Sequence, residues 1–559
     1  MAVYGMEFTT ADAIVQELVQ AGVEVAFGIV SIHNMPIYDA ILREGSIHLV
    51  CSRGESGAVN MADGYARSTG KLGVVITSTG TGAGNAAGSL VEAWSAGVPI
   101  LHLTGEVGSK YIGTGKGYIH EMKDQLSMME GCSKKAYQLR NPEQTSFFIR
   151  KAIKEAFAVP SGPITVQIPI DYQSAIIEKS NVVDFQNNSE AVKPVVSIPE
   201  EVIASITKAK RPVLWVGGGA ISANASEEVL TLAENLGAAV ITSQSGKGII
   251  PEDHDQCIGH FAAYEDTRNL MADADLLISI GVRFRSNETS NWKITAPENH
   301  IAIDGDYDAM NRNYPVSYGI VGDAKQVINR LNTQIGELPS KESYVEEIKA
   351  LRNKLRDHLR STLGPYEQIL DSMRESLPRE TIYVRDVTVP ANVWGSRLLE
   401  ISAPRNSIHA SGGGIGQGLP TAIGAQIANR DRQVVLIAGD GGFMVNVGEL
   451  STAVQEKLPL IIVLFDDGGY GVLRNIQDAA YGRQVAVDLL SPDFALLGQS
   501  MGAYSVKISS PQEFATEIEA ATKRNETTMI VVDMNAVGPM AKPFAGPPGA
   551  ASAFKPKKL

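Results

Sequence analysis

Short apolar runs alternate with stretches of helical period along most of the chain. Near the N-terminus, ADAIVQELVQAG carries apolar residues at helical spacing, and VEVAFGIV, KLGVVITST and VPILHLTG are short apolar runs between polar or glycine residues. Such alternation predicts β/α units on a parallel sheet over residues 1–185. The stretch SNVVDFQNNSEAVKPVVSIPEE is polar and then carries prolines, so it reads as a linker. A second segment, 195–335, contains the strand-like runs RPVLWVGGGAI, ADLLISIGVRF and HIAIDGD. The charged helical stretch SYVEEIKALRNKLRDHLRSTL leads into a third segment, 360–540, with ETIYVRDV, RQVVLIAGDGGF, LPLIIVLFDDGGYG and ETTMIVVDM. The predicted class is α/β, with three doubly wound, mostly parallel-sheet domains, and ligands are expected at the carboxyl ends of the strands. From Val537 the sequence is rich in Pro, Gly and Ala, and 541–559 is expected to be a flexible tail, with a cover over an active site as the alternative.

Composition narrows the function classes. Apolar residues make up 44% of the 559 and charged residues 20%, ordinary for a soluble globular protein. A net charge of −13 argues against nucleic acid as partner. The one basic concentration, Lys555, Lys557 and Lys558, reads as a solvated tail. Three scattered cysteines, Cys51, Cys132 and Cys257, imply no disulfide framework and fit a reducing cytoplasm. No signal-peptide pattern and no run of 18 apolar residues is visible, so a cytoplasmic chain without a membrane span is expected.

The densest chemistry lies in RQVVLIAGDGGFMVNVGELSTAVQEKLPLIIVLFDDGGYG. One predicted strand runs into Asp440 and the next into Asp466 and Asp467, with a helix expected over VGELSTAVQEK. The 27 residues from Asp440 to Asp467 suit one right-handed β/α/β crossover, which brings both strand ends to the same sheet edge. Two carboxylates at a rim lined by Gly439, Gly441, Gly442, Gly468 and Gly469 repel each other unless a cation lies between them. Mg²⁺ held by one or two carboxylates and phosphate oxygens fits. The glycines let N–H groups approach phosphate, and the following helix offers its N-terminus. The plain alternative is that acidic and glycine residues merely end two strands.

With that spacing, the chain resembles the thiamine diphosphate enzymes of the acetolactate synthase, pyruvate oxidase and benzoylformate decarboxylase group. The resemblance covers nearly the whole length. It implies a pyrimidine-binding domain, a central domain and a diphosphate-binding domain, with Asp440, Asp467 and the carbonyl of Gly469 on Mg²⁺. Thr388, Gly439, Gly441, Gly442 and Tyr470 are expected on the cofactor. The family usually places an amide where Asp467 stands, so this metal pocket is more acidic than the pattern.

The same resemblance assigns Glu55, in LVCSRGESGAVNMADGYAR, to the glutamate that hydrogen-bonds N1′ of the aminopyrimidine and so activates the cofactor. In IHASGGGIGQGLPTAIGA it places the main chain of Gly413 and Ile415 at the pyrimidine, with Ile415 as the wedge that bends the cofactor. In TSTGTGAGNAAGSLVEAW, Asn85 opens a helix at the pocket. Aligned on Asn85, Ser78 takes the position of the catalytic histidine of benzoylformate decarboxylase. His33, in FGIVSIHNMPIYDAI, and His120, in GTGKGYIHEMKDQ, are candidates for proton transfer to a substrate oxygen, with purely structural roles as the alternative. Val30 and Ser31 stand where the family's loop has Pro and Gly. Val472, Leu473 and Ile476 are expected to line an apolar substrate side, or in the case of Ile476 the core.

The implied reaction is decarboxylation of a 2-oxo acid, pyruvate first, with carboligation of the activated aldehyde to a second carbonyl compound. Simple decarboxylation or C–C lysis is the alternative. An FAD-dependent oxidoreductase is a rival from another class, although VGGGA in the central segment lacks the full G-x-G-x-x-G pattern. The resemblance further implies a homodimer or homotetramer with the site between chains.

Overall fold

The computed structural model describes residues 7–178, 197–544 and 546. Most of the expected linker and of the tail 541–559 lies outside these. Contacts group the chain into two units: 1–192 with 410–430 and 444–460, and 193–409 with 431–443 and 461–559.

The first unit holds a six-stranded sheet of β1 (Val25–Gly28), β2 (His48–Cys51), β3 (Gly73–Thr77), β4 (Ile100–Glu106), β5 (Lys135–Gln138) and β6 (Ile164–Pro169). Its order is β2-β1-β3-β4-β6-β5, and every pairing is parallel. β3 (GVVIT) and β4 (ILHLTGE) are buried along their whole length. This is why their sequences read as continuous rather than alternating runs, since helices cover both faces of a parallel sheet.

The second unit holds two sheets. The central one contains β7 (Pro212–Val216), β8 (Ala239–Thr242), β9 (Cys257–Gly259), β10 (Leu276–Ile280), β11 (His300–Asp304) and β12 (Tyr318–Val321), in the order β12-β11-β10-β7-β8-β9. The other contains β13 (Ile382–Arg385), β14 (Ser407–His409), β15 (Val434–Gly439), β16 (Ile461–Asp466), β17 (Tyr504–Ile508) and β18 (Thr528–Asp533), in the order β14-β13-β15-β16-β18-β17. All their pairings are parallel too. The first and last sheets thus share one strand order. In it the direction of winding reverses between the first and third strands, and ligands of open α/β sheets sit at the carboxyl ends flanking such a reversal. In the central sheet the reversal falls between β7 and β10. There a Cβ on Gly217 would overlap the Gly281 carbonyl and one on Gly219 would come 2.7 Å from Gly281 Cα. The glycines of VGGGA are therefore used by main-chain packing.

The charged stretch before the third segment is the helix Glu342–Arg360, which buries Tyr344, Ile348, Leu355 and Leu359. After the helix Met534–Val537, Met540 joins the core and the Lys542 N–H donates to the Thr362 carbonyl at 3.1 Å. The end of the predicted linker opens a helix instead, Glu200–Lys208. Among the described residues, no helix is long and apolar enough to cross a membrane.

Candidate active site

In the last sheet, β15 delivers Asp440 and β16 delivers Asp466 and Asp467 to one edge, with Gly439 paired to Phe465. The helix expected over VGELSTAVQEK is present in shorter form, Leu450–Gln455. A four-residue turn of helix, Asp440–Phe443, is followed by a 3₁₀ segment with a non-helical Asn446, and Leu450–Gln455 is helical again. Two consecutive glycines and an asparagine are poor helix formers, and the break falls at that asparagine. Gly441 and Gly442 still open the short turn.

The carboxylates are closely set. Asp440 is buried and accepts the Ser491 hydroxyl at 3.2 Å. Burial and the neighbouring Asp466 raise its pKa. Burial, then Asp440, push Asp467 up to about 6 against the opposing charge of Arg474. Asp467 Oδ1 is buried without a hydrogen bond, and its nearest cation, Arg474 Nη1, lies 3.5 Å away. Arg474 is engaged instead by Asp488, at 3.1 and 2.9 Å. An unsatisfied carboxylate oxygen on a residue whose pKa burial and a neighbouring carboxylate raise fits a hard cation. A Cβ placed on Gly441 would come 3.2 Å from the Gly469 carbonyl, so that oxygen opens towards the turn after Asp440. Gly469 itself has φ +154, and a side chain on it would overlap the Val487 carbonyl. Among the described residues, no cluster of three or more His, Cys, Asp or Glu forms a metal cage. Two carboxylates and one carbonyl leave positions for phosphate oxygens.

The expected neighbours are there. Thr388 Oγ1 would be 3.0 Å from a Cβ on Gly439, and the Tyr470 ring would be 2.8 Å from one on Gly441. Asp386, directly after β13, would lie 3.4 Å from a Cβ on Gly442. Sequence reading passed over it, although a strand-terminal aspartate is the same signal as Asp440. The helix Gly471–Tyr481 carries Val472, Leu473 and Ile476, and none of its residues is fully buried. Val472 packs partly on the core, whereas Leu473 is half exposed.

In the first unit, the reversal between β1 and β3 gathers the other predicted residues. Glu55 opens the helix Glu55–Thr69, and its Oε2 accepts the Asn85 amide at 3.1 Å. A Cβ on Gly82, in the first turn of the helix Thr81–Ala96, would be 3.0 Å from Glu55 Oε1 and 2.8 Å from Ser78 Cβ. Glycine at 82 thus lets the carboxylate and Ser78 close on one spot. Ser78 and Ser31 share a hydroxyl hydrogen bond of 2.6 Å. His33 and His120 meet through their Nδ1 atoms at 3.3 Å. Ile415 stays 39% exposed, and Gly413 has φ +81, a conformation that glycine adopts without strain.

Two carboxylates that the sequence did not single out hold this arrangement. Glu449 is buried, and its Oε1 accepts the N–H of Arg53 and of Gly54 at 3.0 Å each. Glu92 is buried on the other side, accepting the N–H of Ser411 at 2.5 Å, of Gly412 at 2.6 Å, and Arg67 at 3.1 Å. One fixes the approach to Glu55, the other the loop carrying Gly413 and Ile415. The Ser56 hydroxyl donates to Asn446, whose amide donates to the Gly416 carbonyl at 2.6 Å, linking the two.

Comparison with known proteins matches three family models in sequence order: thiamine pyrophosphate enzyme, N-terminal TPP binding domain over 8–128, central domain over 199–331, and C-terminal TPP binding domain over 390–532. A probable acetolactate synthase large subunit of Methanocaldococcus jannaschii is 32% identical, across 95% of this chain and 93% of its own. A probable 2-ketoarginine decarboxylase of Pseudomonas aeruginosa is 30% identical across 93% of each. A solved structure, the Rhodococcus jostii thiamine diphosphate-dependent 4-hydroxybenzoylformate decarboxylase, superposes with a TM-score of 0.80 at 23% identity, over 94% of this chain and 99% of that one, a likeness of fold.

Proposed function

The chain belongs to the thiamine pyrophosphate enzyme family, and on that premise we propose that it decarboxylates a 2-oxo acid, pyruvate first, and joins the activated aldehyde to a second carbonyl compound with the help of Mg²⁺. The observation that carries this is Ser78, whose hydroxyl is paired with Ser31 where an imidazole would protonate the aldehyde carbon and end the reaction. A serine hydroxyl is a weak acid, so capture by a second carbonyl competes well with protonation. The similarity to acetolactate synthase large subunits supports the same outcome.

Bound thiamine diphosphate supplies a nucleophilic carbon and an electron sink for the leaving carboxylate. Glu55 would hold the proton at N1′ of the aminopyrimidine, its carboxylate oriented by Asn85. Gly413 and Ile415 would present main chain to that ring, with the exposed Ile415 side chain packed against the cofactor. Asp440, Asp467 and the Gly469 carbonyl would hold Mg²⁺. Thr388, Gly439, Gly441, Gly442 and Tyr470 would surround the diphosphate, with Leu473, Val472 and Ile476 on the substrate side. The division into 1–185, 195–335 and 360–540, a cytoplasmic location and a homodimer or homotetramer as active unit belong to the same reading.

One observation favours simple decarboxylation as the second reading. His33 lies in the loop of Ser31, His120 comes from the loop after β4 with its carbonyl packed on Gly80, and their paired imidazoles are better acids than a hydroxyl. A panel of 2-oxo acids with and without aldehyde acceptors, followed by CO₂ release and product mass, separates the two. Glu55→Gln is expected to abolish turnover and leave thiamine diphosphate binding largely intact. Unchanged turnover would refute the assignment.

A further inference from the structure

The carboxyl ends of β13, β15 and β16 carry the aspartates of the candidate active site, and the opposite edge of the same sheet is hollow. A cavity of about 480 Å³ opens there, within the range of about 300–1,000 Å³ usual for small-molecule sites. Leu377 and Arg379 on its wall precede β13, Tyr383 is the second residue of that strand, and Glu400 and Ile401 precede β14. Asp253 comes from the turn before β9. At about 3.3 Å per residue, Tyr383 stands about 10 Å along the strand from Asp386, so this cavity is separate from the metal and diphosphate residues. The helix Tyr366–Ser376 adds Asp371, Arg374 and Glu375, whose spacing puts them on one face. The floor is apolar: Leu377, Tyr383 and Ile401 are all buried. Ile401 is pinned by Glu252, which accepts its N–H at 3.0 Å and donates its own N–H to the Ile401 carbonyl at 3.1 Å. Glu252 is in turn fixed by the buried Lys247 at 2.6 and 2.7 Å. Tyr383 is 6% exposed, yet its hydroxyl has no hydrogen-bond partner among the described residues. Burial holds this phenol above its usual range, so it stays a neutral group that can donate and accept.

Above the floor, one carboxylate serves three guanidiniums. Arg356 donates to Glu400 Oε1 at 2.6 Å and Arg374 to Oε2 at 2.9 Å, while Arg352 comes no nearer than 3.9 Å. Arg352 Nε is buried without an acceptor, so donors outnumber acceptors at this wall. Arg379 pairs with Asp253 at 2.8 Å. A guanidinium carries five N–H donors, and Arg374 and Arg379 each have a single ion-pair partner. Both therefore keep donors for a ligand, and a carboxylate meets such a fork through paired hydrogen bonds. The acids of the wall limit the ligand's charge. Asp371 is engaged by Arg360 at 2.7 Å, whereas Glu375 has no ion pair among the described residues. A dianion would stand against Asp253, Asp371, Glu375 and Glu400 together, and a cation would face the guanidiniums of Arg374 and Arg379. A single negative charge suits the wall best.

We propose that this cavity is a second small-molecule site, which takes a monocarboxylate with an apolar or aromatic body. The carboxylate receives donors from Arg374 and Arg379. The body lies on Leu377, Tyr383 and Ile401, and the Tyr383 hydroxyl gains in the ligand the partner that it lacks in the protein. Binding here involves no turnover, so it stands or falls independently of the reaction assigned to the other edge of the sheet.

Calorimetric titration of the full-length protein, loaded with thiamine diphosphate and Mg²⁺, tests this with 3-phenylpropionate as probe. Saturable binding with a Kd on the order of 1 mM or tighter is expected. Phenyl phosphate, a dianion, and phenethylamine, a cation, are each expected to bind at least about tenfold more weakly. Arg379→Gln alters a side chain that is 62% exposed, and is expected to weaken 3-phenylpropionate about tenfold without lowering Tm. Tyr383→Phe keeps the buried ring and is expected to weaken it several-fold. Should Arg379→Gln melt earlier than the wild type, Tyr383→Phe decides. No saturation by about 10 mM 3-phenylpropionate, or tighter binding of either other probe, would overturn the proposal. So would equal binding by the wild type and both variants, which would put the probe elsewhere on the protein.

Discussion

The carboxylate of Glu449 accepts the main-chain N–H of Gly54 at 3.0 Å, and so fixes the residue immediately before Glu55. It also takes the Arg53 N–H and the Thr452 hydroxyl, and glycine at 57 leaves room for it. Truncating it leaves two N–H groups without their acceptor and frees the turn that aims Glu55. Glu449→Ala is expected to lower kcat on the order of 100-fold, as small misplacements of a reacting group do. Glu449→Gln, which keeps an acceptor, should lose much less. Equal activity of wild type and Glu449→Ala, with both folded by circular dichroism, would contradict this.

Asp467 has a buried carboxylate oxygen without a hydrogen bond, ready for a cation. Asp467→Ala is expected to weaken Mg²⁺ binding on the order of 100-fold. Asp467→Asn keeps a ligand oxygen and removes the repulsion with Asp440, so it should change affinity by far less. Calorimetric titration of Mg²⁺ in the presence of thiamine diphosphate reads both. The metal assignment is lost if Asp467→Ala binds as tightly as the wild type.

His102, on β4, is buried between Thr77 and Thr165, whose hydroxyls meet its Nε2 and Nδ1 at 2.8 and 3.1 Å. Burial lowers its pKa to about 3. The unfolded chain therefore binds a proton there below about pH 6.5 that the folded chain does not, and stability falls as the pH drops through that value. At pH 5 the loss is about 2 kcal/mol. His102→Gln should lose less stability between pH 7 and 5 than the wild type in urea unfolding. Parallel losses would assign the acid lability elsewhere.

The helices Glu55–Thr69 and Gly418–Ala428 meet at two glycines. A Cβ on Gly64 would overlap the Thr421 carbonyl, and one on Gly424 would overlap that of Met61. Gly424→Ala is expected to destabilise the protein by about 1–3 kcal/mol through overpacking, visible as a lowered Tm. A stabilised Gly424→Ala would mean that the helices separate freely.

The placing of Asp440 and Asp467 at neighbouring strand ends was legible in the sequence because each stands where an apolar strand stops, whereas Glu55, by local pattern only the first residue of a helix, was singled out through the family resemblance. The parallel sheets were legible for the same reason, since strands buried on both faces read as unbroken apolar runs. The clamps were not. Glu449 and Gly54 lie 395 residues apart, and nothing in VGELS says which N–H groups will meet that carboxylate. The pairing of His33 with His120, 87 residues on, likewise depends on a left-handed turn and a glycine that no periodicity announces. The helix expected over VGELSTAVQEK begins only at Leu450, because a 3₁₀ segment with a non-helical Asn446 runs to Glu449 before it.

Where the two helices cross at Gly64 and Gly424, main chain touches main chain. The gap between them is set by the radii of carbonyl and Cα atoms, which no substitution elsewhere can alter. Side-chain volumes around the crossing can drift over many generations of mutation while the gauge between Glu55 and the loop of Ile415 stays the same. That spacing is thereby written into the one part of a protein that all sequences share.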